Sequence, residues 1–126
     1  MASLDLPPDH TAAARAREFV ARMLHAWGCD GIVADAELLV SELVTNAILH
    51  ARSTATVSIE RDPALRVSVC DHSTAVPRVR NYGPTAVTGR GMLLVDRIAR
   101  RWGVEISGNG KCVWFEIDQD AQMRAG

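Results

Sequence analysis

In the segment DAELLVSELVTNAILHA, residues 35–51, Glu42, Asn46 and His50 stand four residues apart in an otherwise apolar stretch. That spacing stacks them along one face of a helix and leaves Leu43, Val44, Ala47, Ile48 and Leu49 close to a core. Asn is a mediocre helix former, and a carboxylate or amide so near a core is costly to desolvate unless something pairs with it. A cation with a polyanion would meet that need. An Asn carbonyl is a neutral oxygen ligand of the kind magnesium accepts beside phosphates and water, and a Glu one turn away can orient or deprotonate an attacking hydroxyl. The competing reading is a solvated helix edge, so the stripe needs company from elsewhere in the chain.

Upstream, Asp9 after Leu6-Pro7-Pro8 is a candidate N-cap for an amphipathic helix through Trp27. Phe19, Val20, Met23 and Leu24 face inward in that reading, and Gly28 terminates the helix. The striped helix follows, from about Ile32 to His50. The period then changes: Thr54 to Glu60 and Leu65 to Cys70 alternate around Asp62-Pro63 as a β-hairpin does. Val104 to Ser107 and Cys112 to Ile117 repeat the device around Gly108-Asn109-Gly110, with a helix from Met92 to Arg101 between the hairpins. Helices and hairpins segregated in this way point to a two-layer α/β sandwich.

Two segments supply what the stripe lacks. Asp71 ends the alternating run LRVSVCD, which puts a carboxylate at the mouth of a strand, able to accept from an exocyclic amine or to form a local turn. Gly89 and Gly91 stand at the start of the last helix, where the backbone can approach a ligand closely and unpaired N–H groups can face phosphate.

At 126 residues and 48% hydrophobic, the chain is read as one domain with a real core. A net charge of -1 gives no electrostatic footprint for nucleic acid, and Arg97, Arg100 and Arg101 read as a solvated helix end. Cys29, Cys70 and Cys112 are odd in number, widely spaced and in no C-x-x-C pair, so free thiols in a reducing compartment are expected rather than a structural disulfide. No basic-then-apolar leader or membrane-length apolar run is present, which leads to an expectation of a cytoplasmic protein with no membrane contact of its own. Trp27, Trp102 and Trp114 read as packing residues.

In this order the pieces resemble the GHKL, or Bergerat-fold, ATPase superfamily, and within it the small anti-sigma-factor-like serine protein kinases. Glu42 through Ala51 matches the N box, Asp71 the first glycine box, and Gly89-Arg90-Gly91-Met92-Leu93-Leu94-Val95 the second. LPPDHTAAARAREFVARMLHAWG is similar to the family's first helix and GNGKCVWFEI to its closing strand. Nearly the whole chain is covered. The resemblance implies one histidine-kinase-like ATP-binding domain over residues 1–126, with a mixed, mainly antiparallel sheet covered on one face by about three helices.

By the same resemblance ATP and magnesium (Mg2+) are the cofactors. Asn46 would hold the magnesium, Glu42 would act as catalytic base or water-orienting carboxylate, and Asp71 would read the adenine amine. Gly89, Arg90, Gly91, Met92 and Leu93 would form the phosphate-facing loop and helix start. Ser73 would lie in the loop beneath adenine, and Cys112 on the closing strand near the base. His50 either faces the phosphates or is simply favoured at a helix C-terminus by the macrodipole. A sigma factor and an anti-anti-sigma protein are the implied partners, the latter phosphorylated on serine; family members often pair, so the resemblance allows a homodimer and leaves the oligomeric state open.

The chain departs from the family pattern where Asp71-His72-Ser73-Thr74-Ala75 stands in place of Asp-x-Gly-x-Gly. Ser and Ala disfavour the positive φ that glycine accepts, so the loop takes another path. The lid, Thr74 to Thr88, is short and holds Pro77, Gly83 and Pro84. The alternative function is therefore a catalytically weak or inactive module of the same fold that acts by partner sequestration.

Overall fold

A computed structural model describes residues 1–51, 54–62, 64–72, 90–107 and 110–119, with the side chains of residues 49–51, 90–93 and 107 outside that description. Among the described residues three helices and five strands follow the order β1 (Ala2–Leu6), α1 (Ala12–Ala26), α2 (Val33–Ala51), β2 (Ala55–Glu60), β3 (Leu65–Asp71), α3 (Arg90–Ile98), β4 (Arg101–Ser107) and β5 (Gly110–Ile117). The strands form one sheet in the order β1-β2-β3-β5-β4, and each neighbouring pair is antiparallel. The α+β two-layer sandwich expected from the periodicity is what the chain forms.

Strand alternation divides the sheet's faces. Val57, Ile59, Val67, Val69, Val113 and Phe115 are buried beneath the helical layer, where they meet Val20, Leu24, Leu39, Val40 and Val44. Arg66, Ser68 and Cys70 lie on the opposite face, directly across from Glu116, Trp114 and Cys112. There Glu116 is buried under two arginines: Arg66 Nη2 donates to its Oε2 at 2.7 Å, and Arg101 Nε to its Oε1 at 2.9 Å. The hydrogen bond from Arg101 is the main reason the Glu116 carboxyl titrates below the ordinary glutamate range; Arg66 adds to it, and burial opposes it. The Arg66 guanidinium stacks 3.9 Å from the Trp114 ring centroid, and that ring lies so close to Gly103 that a Cβ there would meet it.

Helix α1 ends as its sequence implies. Gly28 has φ 74°, Cys29 N–H donates to the Leu24 carbonyl at 2.8 Å and Gly28 N–H to that of His25 at 3.1 Å, the Schellman pattern. At the other end Asp9 acts one turn before the helix: its carboxylate accepts from the Thr11 hydroxyl and from Thr11 N–H at 2.8 Å, and these bonds, the hydroxyl's first, lower its pKa. Val20 and Leu24 are fully buried and Phe19 and Met23 half-buried, in line with the inward face read from sequence. A short 3-10 turn at Asp30–Ile32 precedes α2, and Arg17 Nη1 donates to Ser41 Oγ at 2.8 Å to tie α1 to α2.

Three expectations are corrected. The N-terminal strand β1 was not anticipated; its five residues alternate inward and outward and pair with β2, with Leu6 fully buried. The last helix stops at Ile98 rather than Arg101, because Arg101 is the first residue of β4 and bonds Glu116 across the sheet, so it is not a solvated helix end. Cys70 and Cys112 form a disulfide, since register places them directly opposite with Cα atoms 4.0 Å apart; only Cys29, buried, keeps a free thiol.

Candidate functional site

Helix α2 buries Leu39, Val40, Leu43, Val44 and Ala47 against the sheet and α1, which leaves Glu42 and Asn46 at the margin of that buried face. Glu42 is half-buried. Asn46 is 8% exposed, and its side-chain Nδ2 has no hydrogen-bond partner among the described residues. An unpaired buried amide end costs about 1–3 kcal/mol, so a native chain retains one where something else completes it. His50 falls in the last turn of α2, with its side chain outside the described residues.

Asp71 closes β3 on the helix-covered face and is 5% exposed. Across the ladder from it stands Lys111, whose Nζ lies 3.6 Å from Asp71 Oδ2, with side-chain exposures of 11% for the lysine and 3% for the aspartate. Gly110, with φ 141°, presses so closely on this end of β3 that a Cβ would run into the Asp71 carbonyl oxygen. Glycine is needed there for both reasons. On the opposite face of this end of the sheet, the Thr56 hydroxyl lies 2.9 Å from His72 Nε2 and donates to Asp5 Oδ1 at 2.8 Å, linking β1, β2 and the exit of β3.

Connectivity brings the two halves to one end of the sheet. Helix α2 ends at Ala51, and β2 begins at Ala55, which pairs with Asp71. Four residues of chain span at most about 14 Å, so the C-terminal turns of α2 sit near the end of β3 that carries Asp71 and Lys111. Helix α3 packs against α2 and begins with Arg90, Gly91, Met92 and Leu93, whose side chains are outside the described residues. Ser73, Gly89 and the lid lie outside the described residues.

A separate cleft of about 340 Å³ opens between the start of α1 and the far side of α2, lined by Pro8, Ala12, Val44, Thr45 and Ile48 among others. Asn46 lies roughly 200° around the helix from Val44, so this cleft is not on the striped face. Among the described residues no three His, Cys, Asp or Glu side chains group as a metal site. No helix among them is long and apolar enough to cross a membrane.

The closing strand corrects one assignment. Cys112 does not face Asp71: it is half-buried on the other side of the sheet, in the disulfide to Cys70. Lys111 occupies the face that Cys112 was expected to share with the base. The signal was present in KCVWFEI, because Val113, Phe115 and Ile117 form one alternating face and Lys111 shares their parity, whereas Cys112 goes with Trp114 and Glu116.

A family model described as the histidine kinase-like ATPase domain matches residues 6–117. Among solved structures, the chain is similar to the RsbU and RsbW domains of Rv1364c from Mycobacterium tuberculosis, with 18% identity and a TM-score of 0.65, over 94% of this chain and 32% of that one. It is also similar to the histidine kinase domain of the blue-light activated histidine kinase of Erythrobacter litoralis EL346 (21% identity, TM-score 0.58, 89% of this chain and 63% of that one). A second structure of that kinase matches at 23% identity and TM-score 0.58, over 90% of this chain and 42% of that one. The chain thus spans about a third to just under two thirds of these relatives, and at such identities the likeness is one of fold. No curated protein gives a match.

Proposed function

The chain belongs to the histidine kinase-like ATPase family, and on that basis we propose that it is an ATP-dependent protein serine kinase of the anti-sigma type. The observation that carries this reading is the buried Asn46 side chain, whose Nδ2 lacks a partner among the described residues and which stands one turn beyond Glu42 on the helix that leads to the Asp71 end of the sheet. That N–H is a donor, which a phosphate oxygen of a bound nucleotide would complete.

Bound ATP would supply the γ-phosphoryl group, with its magnesium neutralising phosphate charge. Asn46 would offer its amide oxygen to that ion. Asp71 would accept from the exocyclic amine of the base, and the first-turn N–H groups of α3 would donate to phosphate oxygens. Glu42 would orient the serine hydroxyl of the partner and take its proton. Phosphoryl transfer depends mainly on positioning and charge stabilisation, so this small set of groups is chemically sufficient. In this reading the chain sequesters a sigma factor in one state and phosphorylates an anti-anti-sigma protein in another, in the cytoplasm where both would act.

The test pairs calorimetry with label transfer. Wild type should bind magnesium-ATP and pass label from γ-labelled ATP to serine on a small protein of its native extract. Glu42→Ala should lose transfer and keep nucleotide binding. Transfer that persists in Glu42→Ala sinks the base assignment. The replacement of both first-box glycines by Ser73 and Ala75 favours a second reading, a sequestering module without catalysis; absence of heat at millimolar nucleotide would select it.

A further inference from the structure

A disulfide is at odds with the setting in which this chain is proposed to work. Intracellular thiol pools keep accessible cysteines reduced, and the disulfides that do form there are mostly transient, serving catalysis or redox sensing. Cys70 and Cys112 are nonetheless bonded, on the face of the sheet away from the helices. Both are half-buried, whereas the third cysteine, Cys29, keeps its thiol at 8% exposure among core residues. Register sets Thr56 beside Cys70 and the exposed Glu105 beside Cys112, so the two sulfurs lie in a row of small or flexible side chains that a small thiol can enter from solvent.

The position in the ladder gives the bond something to control. Strands β3 and β5 pair from Leu65 opposite Ile117 to Asp71 opposite Lys111, and β3 ends at Asp71. Cys70–Cys112 is therefore the rung before the last, and the last is the one that carries the Asp71–Lys111 ion pair. The end of a ladder opens locally at lower free energy than its middle. A covalent link one residue from the end holds the last rung closed, and two thiols at the same place do not.

Resting on the cytoplasmic, nucleotide-binding reading above, we propose that Cys70 and Cys112 form a reversible thiol–disulfide exchange site for low-molecular-weight thiols and their disulfides, and that its closure strengthens nucleotide binding at the Asp71 end of the sheet. A small thiolate attacks one of the two sulfurs, forms a mixed disulfide and releases the other cysteine as a thiolate. A second small thiolate then attacks the small molecule's sulfur in that mixed disulfide, displaces the remaining cysteine thiolate and yields the small-molecule disulfide. Two electrons pass from the small thiols to the protein, and the protons those thiols lost go to the two cysteines. The reverse sequence, with the small disulfide as oxidant, closes the bond.

The experiment holds the full chain in buffers of reduced and oxidised glutathione and takes three measurements in each. Alkylation of the native protein, followed by intact mass, should show no label where oxidised glutathione prevails and two labels in millimolar reduced glutathione, with Cys29 shielded by burial. Hydrogen exchange at the amides of Cys70, Asp71, Lys111 and Cys112 should be at least about tenfold faster in the reduced form, measured against the amides of β1 in the same sample. The Kd for magnesium-ATP, by calorimetry, should be at least about threefold higher in the reduced form, because apparent affinity falls with the fraction of chains whose last rung is closed. The double variant Cys70→Ser, Cys112→Ser should show the reduced amide rates and Kd in every buffer, with thermal unfolding as its folding control. A pair that stays bonded in millimolar reduced glutathione while the chain is native overturns the exchange site. Amide rates and Kd values that agree between the two forms of wild type overturn control by closure. If neither form binds ATP, the nucleotide reading fails and control of binding with it, while the label count and the amide rates still decide the exchange site.

Discussion

Replacing Asn46 by Leu should make the protein more stable and unable to respond to nucleotide. The side chain is 8% exposed, its Nδ2 lacks a partner among the described residues, and Leu43, Val44 and Ala47 of the same helix are buried around it. Relieving an unpaired buried amide returns about 1–3 kcal/mol, and Leu exceeds Asn in helix propensity by a few tenths more. Leu keeps the branching at Cγ but is bulkier, so part of that gain goes to local repacking and about 1–2 kcal/mol remains. For a 126-residue domain this raises Tm by about 4–8 °C. The assay is thermal unfolding followed by circular dichroism, with and without magnesium-ATP. Nucleotide at a hundred times Kd should add about 2.7 kcal/mol to wild type and nothing to Asn46→Leu. A variant less stable than wild type would show that the amide is satisfied in the folded chain. Equal nucleotide shifts in both proteins would remove Asn46 from the site.

Other perturbations have equally definite outcomes. Gly110→Ala should destabilise by about 2 kcal/mol or more in urea unfolding, because φ 141° is strained for alanine and its Cβ meets the Asp71 carbonyl, a backbone atom that cannot rotate away; a neutral result would mean that β5 has room to shift. Reducing Cys70–Cys112 should lower stability by up to about 4 kcal/mol, the chain-entropy value for a sequence separation of 42, and the urea midpoint of a Cys70→Ser, Cys112→Ser variant should no longer respond to reductant. Glu116 titrates below its ordinary value in the folded chain, held there first by the hydrogen bond from Arg101. Its contribution is therefore fully present above the ordinary glutamate range and is lost as pH falls through the depressed folded value. Glu116→Gln should lower stability at pH 7, and its deficit against wild type should shrink as the pH is brought down through that window; a constant deficit would assign the effect to packing alone.

Local patterns were legible wherever a single element decides them. The Gly28 stop, the inward face of α1, the striped helix and both hairpins were readable because period and terminator residues are local properties. β1 escaped because five residues carry little periodicity and are stabilised by pairing with β2, a partner about fifty residues away. The end of α3 was misplaced because Arg101 suits a helix terminus as well as a strand, and it is Glu116, fifteen residues on, that fixes the choice. Cys70 and Cys112 looked unrelated because their meeting depends on the β3–β5 register, which skips over β4 in sequence. The same register hid Lys111: only once Asp71 is known to lie opposite residue 111 does the parity of KCVWFEI become a statement about the site.

Adjacent rungs of one ladder thus carry a covalent bond on one side and an ion pair on the other: Cys70 to Cys112 outside, Asp71 to Lys111 within. A sheet that slipped by one residue would turn Asp71 out toward solvent and lose the pair altogether. The staple makes that slip impossible while it is intact. The alignment of the charged couple is thereby fastened from behind, by sulfur atoms on the opposite face of the sheet.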